Sequence, residues 1–209
     1  GDSILKLSGP PNGSFAVADW FTPYNQQTLD VNDWDLGAGG VLLLPNLSSG
    51  QQLLVQASKK GTIYLIDRNN MGKYCSTCTS TGGDTQIVQE LANALSGMWG
   101  MPTYWSGNVY FGGPGDKLKA FSFNANNSGL LSTSPTSETA EVFNFSGPTP
   151  SVSANGNTSG IVWALDNGSY ASTCCQALHA YAATNLGQEL YNTNQAPNSR
   201  DILGGAVKF

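Results

Sequence analysis

Short apolar runs, separated by turns rich in glycine and asparagine, extend along the whole chain. The clearest are residues 52–57 and 62–66, which flank a turn at residues 58–61. β-Branched, aromatic and aliphatic side chains fill the second run, which favours a strand. Gly61 permits the positive φ of a tight hairpin turn. The pattern therefore predicts a β-hairpin, followed by a polar turn at residues 67–72.

The pattern of a strand, a glycine-containing turn and a second strand recurs along the chain. Residues 107–110 and 118–121 have counterparts downstream in residues 159–163 and 178–181. Further strands are predicted at residues 3–8, 15–21, 41–44, 101–113 (a strand, a turn and a strand), 118–123, 149–156, 160–165 and 177–182. The chain is therefore expected to consist of repeated β units.

The length of the repeat indicates the architecture. Pro102 and Pro150 stand at equivalent points of two units and lie 48 residues apart. A period near 50 residues, with about four strands per unit, is typical of β-propeller blades. We therefore predict an all-β fold, a single partial β-propeller with blades of four antiparallel strands. Its units are the end of a preceding blade with its connection at 1–37, a blade at 38–97, a blade at 98–146, and a blade with the start of the next at 147–209.

About three blades are fewer than the roughly 4–8 that a closed ring needs. We expect either a part of a larger seven- or eight-bladed ring, or a ring that closes with another chain. Open blade edges would otherwise expose unpaired backbone groups. Other copies of the chain, or a different chain, are therefore expected partners through strand addition.

One segment has a different period. Ile87, Leu91 and Leu95 are four residues apart, so residues 85–95 are the best candidate for a helix. A loop with one helical turn fits the same residues.

Composition narrows the function classes. The chain has 209 residues, of which 11% are charged, and a net charge of −5 with nine basic residues. So few basic residues argue against a nucleic-acid partner, and no apolar run is long enough to span a membrane. A chain rich in glycine, asparagine, serine and threonine suits an extracellular or periplasmic β protein.

The cysteines form two close pairs, Cys75 with Cys78 and the adjacent Cys174 and Cys175. A disulfide between Cys75 and Cys78 fits an oxidising compartment, and the second pair would form either a vicinal disulfide or a link between loops. A zinc site made of the four sulfurs is an alternative.

A carboxylate-rich segment follows the second predicted strand. Asp30, Asp33 and Asp35 lie within six residues, and clustered oxygens are the ligands that calcium prefers. The spacing does not match an EF-hand loop, and short aspartate side chains also cap turns. Calcium binding and turn capping are therefore both open for this segment.

Three segments resemble a known family. They are Trp-Phe-Thr-Pro at 20–23, Asn-Asp-Trp-Asp at 32–35, and Ser-Lys-Lys-Gly-Thr-Ile-Tyr-Leu-Ile-Asp-Arg at 58–68. Together they resemble the pattern W-x-x-x-T-P-x-D, W-D-x-D and K-N-G-x-x-Y-x-L-D-R-x-x-G of the propellers of quinoprotein dehydrogenases, which use pyrroloquinoline quinone (PQQ). The resemblance covers residues 4–113, and the last unit matches only as a generic repeat.

The resemblance implies a PQQ-like-repeat propeller, with PQQ and calcium as the family's cofactors. It places Lys59 where the family has the basic residue that reaches the quinone, and a lysine there would stabilise negative charge on the quinone oxygens. A solvated turn lysine is the alternative. Met98 stands where the family has an asparagine that contacts the cofactor. We therefore predict a non-catalytic binding, scaffold or assembly module, with a part of a PQQ- and calcium-dependent alcohol dehydrogenase as the alternative.

Few other residues suggest a catalytic or ligand-binding role. His179, the only histidine, is expected on a sheet face with a satisfied ring nitrogen. Trp99, Trp105 and Trp163 would either line a carbohydrate-binding surface or pack between blades. A carbohydrate or a protein is therefore the expected ligand class of a binding module.

Overall fold

Strands dominate the computed structural model, which describes residues 1–9, 13–126, 129–168 and 174–205. The strands are β1 (Ile4–Ser8), β2 (Ala16–Thr22), β3 (Leu42–Leu43), β4 (Leu53–Ala57), β5 (Ile63–Asp67), β6 (Lys73–Tyr74), β7 (Gln89–Leu91), β8 (Thr103–Trp105), β9 (Asn108–Gly112), β10 (Asp116–Ser122), β11 (Ser137–Phe143), β12 (Ser151–Asn155), β13 (Thr158–Asp166), β14 (Cys174–Ala182), β15 (Asn185–Asn192) and β16 (Leu203–Gly204). The helical segments are α1 (Gln26–Val31) and four 3₁₀ turns, Leu36–Ala38, Cys78–Ser80, Thr193–Gln195 and Pro197–Ser199. The all-β prediction is confirmed.

The strands form four sheets, numbered I to IV in chain order. Sheet I has the order β1-β2-β6, sheet II β3-β4-β5-β7, sheet III β8-β9-β10-β11, and sheet IV β12-β13-β14-β15, with β16 added to β14. Neighbouring strands are antiparallel except for β2 and β6, which are parallel. Sheets III and IV are simple meanders, because each strand pairs with the next one along the chain.

The internal repeat seen in the sequence corresponds to equivalent strands. Residues 107–110 and 159–163 fall at the second strands of sheets III and IV, β9 and β13, and residues 118–121 and 178–181 fall in the third strands, β10 and β14. Equivalent sequence segments therefore occupy equivalent positions in two successive sheets.

The hairpin of β4 and β5 shows why a glycine is needed in its turn. Gly61 has φ of 80°, and its amide donates to the Ser58 carbonyl at 2.9 Å. A Cβ atom on Gly61 would collide with the Leu95 carbonyl oxygen. The turn therefore requires both the backbone freedom and the small volume of glycine.

The helix predicted at residues 85–95 is wrong. The segment contains the strand β7 and turns, and β7 pairs with β5 through Leu91 opposite Ile63. The open edge of β5 offers backbone hydrogen bonds that outweigh a weak local helical preference. The one short helix among the described residues, α1, was not predicted, and its sequence carries no acidic residue in the first turn and no basic residue in the last.

Three apolar cores hold the sheets together, one between each pair of neighbours. On β9, Val109 and Phe111 face sheet II while Tyr110 faces sheet IV. On sheet II, Val55 and Leu65 face sheet III, whereas Leu54, Tyr64 and Ile66 face sheet I. Sheets II and III are thus covered on both faces, which explains the continuous apolar character of their central strands.

Polar contacts link the same neighbours. Tyr110 of sheet III is fully buried and donates its hydroxyl to the Ala183 carbonyl beside sheet IV at 2.7 Å. Tyr181 of sheet IV, also fully buried, donates to Glu141 of sheet III at 3.0 Å. These tyrosines fill apolar space and form hydroxyl hydrogen bonds across the interface between the two sheets. We call such an interface between neighbouring sheets a joint.

Replacing Gly61 by alanine should destabilise the protein more than the same change at Gly50. Both residues have positive φ, at 80° and 85°, and an alanine there costs about 1–2 kcal/mol. A Cβ at Gly50 meets no atom within 4 Å, so Gly61→Ala should cost about 1–3 kcal/mol more through overpacking. Urea unfolding followed by tryptophan fluorescence measures both losses. Equal losses would contradict the close packing at Gly61.

Candidate functional site

Two segments singled out in the sequence meet at the turn between β4 and β5. The Lys59 ammonium lies 2.5 Å from an Asp35 carboxylate oxygen and 3.0 Å from one of Asp33. The Lys59 amide also donates to the Asp35 carbonyl at 3.0 Å. Lys60 places its ammonium over the Trp34 ring, 4.2 Å from the centroid. Two successive lysines therefore bind three successive residues of the facing loop.

The charges at this contact stabilise one another. The hydrogen bond from Lys59 holds the pKa of Asp35 below its usual value. The hydrogen bonds to Asp35 and then to Asp33 raise the pKa of Lys59. The Lys59 side chain is only 17% exposed, so it is a partly buried ion-pair partner and not a solvated turn lysine. A charged, doubly paired ammonium is suited to holding a loop, and not to acting as a base.

The calcium candidates do not converge on one point. Asp33 and Asp35 direct oxygens at the Lys59 ammonium, and Asp30 is exposed at the end of helix α1. In residues 1–9, 13–126, 129–168 and 174–205, no three acidic, histidine or cysteine residues form a group that would hold a metal. The contacts of Asp33 and Asp35 are those of ion-paired loop residues.

A cavity of about 290 Å³ opens beside Trp99. Its lining residues are Trp99, Gly100, Ser146, Gly147, Thr149, Leu165 and Asn167. Lys59 is not part of this lining, and Met98 is fully buried in the core between sheets II and III. Lys59 therefore does not line this cavity, although its carbonyl oxygen and the Trp99 ring both lie next to Gly97.

The three tryptophans have separate environments. Trp99 packs edge to face on Phe145, with centroids 5.4 Å apart. Trp105 donates its indole N–H to the Gly156 carbonyl, and Trp163 donates to the Ser153 hydroxyl. Of the three, only Trp99 lines the cavity, so the cavity does not bring them together, and a carbohydrate ligand stays a prediction.

A buried carboxylate pair was missed by sequence reasoning. Asp84 donates its backbone N–H to Glu90 at 2.6 Å. One Asp84 carboxylate oxygen accepts from the Tyr24 amide and from the Gln86 side chain, while its other oxygen is buried without a hydrogen-bond partner. Burial raises the pKa of both carboxyl groups. Loop and strand residues six apart carry no motif, so only the fold reveals this pair.

His179 has the satisfied ring nitrogen that was expected. Its Nδ1 lies 2.7 Å from a Glu189 carboxylate oxygen, and its ring stacks on Tyr181 at a centroid distance of 5.9 Å. The residue is 8% exposed. These contacts fix the ring in the joint between sheets III and IV, where it has a packing role.

The disulfide predicted between Cys75 and Cys78 is confirmed, with Cα atoms 5.4 Å apart. Because these sulfurs are bonded to each other, they are not available to a four-sulfur zinc site. Cys174 and Cys175 begin β14, and the contacts of their side chains lie outside the described part of the chain. Their pairing therefore stays a prediction.

None of the helices in the described residues is long and apolar enough to cross a membrane. Comparison of the chain with family models, with curated proteins and with solved structures gave no match in any of the three. The function must therefore be inferred from the chain's own residues.

Lys59→Gln should destabilise the protein more than Lys117→Gln. Lys117 pairs with Glu138 at the same distance of 2.5 Å, but the Lys117 side chain is 37% exposed against 17% for Lys59. Exposed ion pairs contribute about 0–1 kcal/mol to stability. We therefore expect the free energy of unfolding to fall by less than about 0.5 kcal/mol in Lys117→Gln and by about 1 kcal/mol or more in Lys59→Gln. NMR titration should also show the Asp35 pKa rising in Lys59→Gln. An unchanged Asp35 titration would contradict the ion pair.

The stability contributions of Asp84 and Asp19 should depend on pH with opposite signs. Burial raises the pKa of Asp84, so its native carboxyl binds protons more tightly than in the unfolded chain. Stability is then lost as pH rises above about 4. The Met71 amide lowers the pKa of Asp19, so that contribution is present above about pH 4 and lost as pH falls through the native pKa.

Urea unfolding between about pH 2 and pH 7 tests this expectation. One titrating group changes the free energy of unfolding by up to about 1.4 kcal/mol per pH unit. Relative to the unmodified chain, Asp84→Asn should gain stability as pH rises above about 4. Asp19→Asn should lose stability as pH rises from the acid end of the range. Parallel curves for the two variants would show that the carboxyl groups have ordinary environments.

Proposed function

We propose that this chain is a segment of a PQQ-like-repeat β-propeller that works outside the cytoplasm as a non-catalytic binding, scaffold or assembly module. The observation that carries the proposal is the serial stacking of sheets I to IV in chain order. Each neighbouring pair shares an apolar core. Radial repetition of four-stranded sheets produces this kind of packing.

The contacts between sheets III and IV support the propeller geometry. The first strands, β8 and β12, contact each other, and so do the fourth strands, β11 and β15. First strand beside first strand and fourth beside fourth is the arrangement of sheets stacked in the same orientation, which neighbouring propeller blades also have. In a propeller the first strand of each blade lies next to the central axis.

The extracytoplasmic location is supported by the disulfide. Cys75 and Cys78 are bonded, and disulfides persist in oxidising compartments such as the periplasm and the extracellular space. The low charge content of the sequence fits the same environment.

The residues present do not fit a quinone cofactor. PQQ is itself an anion, and the Lys59 ammonium that would bind it is already paired with Asp33 and Asp35. Met98 points into a core and offers no polar contact. An anionic cofactor at the remaining Lys59 N–H would lie beside two carboxylates, whose like charge disfavours it. The non-catalytic function is therefore favoured.

A PQQ- and calcium-dependent dehydrogenase is the second candidate. The observation in its favour is the meeting of Lys59 with Asp35, because these residues come from two of the three segments that resemble the quinoprotein pattern. An ammonium has three N–H donors, and two of them are accounted for by Asp33 and Asp35. The third donor is the one that an anionic cofactor would use.

Titration with PQQ in the presence of calcium separates the two candidates. For the binding or scaffold module we expect no saturable quenching of tryptophan fluorescence, and no difference between the unmodified chain, Lys59→Gln and Lys117→Gln. Saturable binding of one PQQ that is lost in Lys59→Gln but kept in Lys117→Gln would refute the cofactor-free module and favour the dehydrogenase instead. An experimental structure in which sheets II to IV do not fan about one axis would refute the propeller.

A further inference from the structure

The cavity beside Trp99 lies at the ends of two successive sheets. Its lining residues belong to the segments 99–100 before β8, 146–149 before β12, and 165–167 at the end of β13. Sheets III and IV both consist of consecutive strands of this chain, so the cavity is formed inside the described fold. Its volume of about 290 Å³ is close to the lower end of the roughly 300–1,000 Å³ that is typical of small-molecule sites. This size suits a ligand of one small ring.

The described lining residues of this cavity include no ionisable side chain. Asp166 lies between the lining residues Leu165 and Asn167 in the chain, but its carboxylate accepts a hydrogen bond from the Gly168 amide at 3.0 Å. A charged ligand in the cavity would therefore lose water without gaining a counter-charge. An anion such as PQQ does not fit this lining, whereas a neutral ligand does.

Two polar groups of the lining are available to a ligand. The Trp99 indole N–H and the Thr149 hydroxyl have no hydrogen-bond partner in the described part of the chain. By contrast, the indole N–H groups of Trp105 and Trp163 are each bonded within the protein. An indole N–H donates, and a hydroxyl both donates and accepts. Ligand hydroxyl groups can use both partners.

Apolar surface completes the lining. Trp99 supplies aromatic area, and Leu165, which is 37% exposed, lines the same cavity. Ser146 and Asn167 add a hydroxyl and an amide. Walls of this kind match a ligand that is apolar on its faces and hydroxylated around its rim. A sugar ring has this character, because its C–H groups lie on the faces and its hydroxyl groups around the edge.

Backbone contacts hold the walls of the cavity in place. The Gly147 amide donates to the Asn144 carbonyl at 2.7 Å, and a Cβ on Gly147 would lie only 2.7 Å from the Gly113 carbonyl carbon. The Gly100 carbonyl accepts from the Gly40 amide at 3.1 Å. A site that is formed before its ligand arrives loses little conformational freedom on binding.

We infer that this cavity binds one neutral sugar ring, with Trp99 packing on the ring and Thr149 forming a hydrogen bond with its hydroxyl groups. The inference rests on the proposed binding function and names its ligand class. It separates the ligand from a quinone, because the described lining lacks the cations that an anion needs and does not include Lys59.

Isothermal titration calorimetry of the 209-residue chain with D-glucose, D-galactose and D-mannose tests the site. We expect saturable binding of at least one of these sugars, with a Kd on the order of 1 mM for so small a ligand. The uronate of the bound sugar is the matched anionic control, since it keeps the ring and adds a carboxylate. It should bind at least about 10-fold more weakly, because the cavity offers no counter-charge.

Two variants locate the site. Trp99→Leu removes the aromatic surface and the indole N–H and should raise the Kd more than about 10-fold. Thr149→Val keeps the shape of an exposed side chain, loses the hydroxyl, and should raise the Kd about 3- to 10-fold. Trp20→Leu is the control and should leave the Kd unchanged, because Trp20 is 36% exposed on sheet I and does not line the cavity. Circular dichroism confirms that each variant is folded.

The outcomes separate this inference from the proposed function. Absence of saturable binding by all three sugars would overturn the inference and leave a scaffold or assembly role intact. Sugar binding that neither Trp99→Leu nor Thr149→Val weakens, or tighter binding of the uronate, would also overturn it. PQQ with calcium is titrated into the same samples, and quinone binding that is lost in Lys59→Gln would refute the proposed function itself.

Discussion

Burial of sheet faces against one another is the constraint on which the rest of this structure depends. A sheet of three or four short strands is marginally stable until an apolar face is covered, and here each sheet meets that need through its neighbour. Phe111 and Phe121, for example, lie on adjacent strands of sheet III, meet edge to face at 5.6 Å and are buried against sheet II. Because stability resides in the joints, the order of sheets in space follows the order of sheets in the chain.

The connections between strands are positioned by the same joints. The turn at Gly61 lies so close to the Leu95 carbonyl that no side chain fits between them. The Lys59 backbone in this turn and its side chain both reach Asp35. The segment that resembles a quinone-binding motif is thus also a structural contact between a hairpin turn and the loop that precedes sheet II. Its lysine is paired within the protein, which favours a role in holding the loop over a role in catalysis.

The polar groups buried between the sheets differ from one joint to the next. The joint of sheets III and IV contains reciprocal tyrosine hydrogen bonds and the pair of His179 with Glu189. Near sheet I, the buried Asp84 carboxylate joins the Tyr24 backbone to the loop before β7. Such groups cost free energy to bury and make the joint specific, because a wrong register leaves them without partners.

The sequence by itself determined most of the central strands but not β11 or β15. It also determined the hairpin turn at Gly61, the repeat that places equivalent segments on equivalent strands, and the disulfide of Cys75 with Cys78. These features depend on alternation, turn chemistry and short spacing, which act within a few residues. The tertiary structure alone decided that residues 89–91 form a strand, since the edge of β5 outcompeted a local helical period. It also decided that Lys59 pairs with Asp35, 24 residues away in the chain, and that Asp84 accepts from the Tyr24 amide, 60 residues away, because such distant groups meet only after the sheets have stacked.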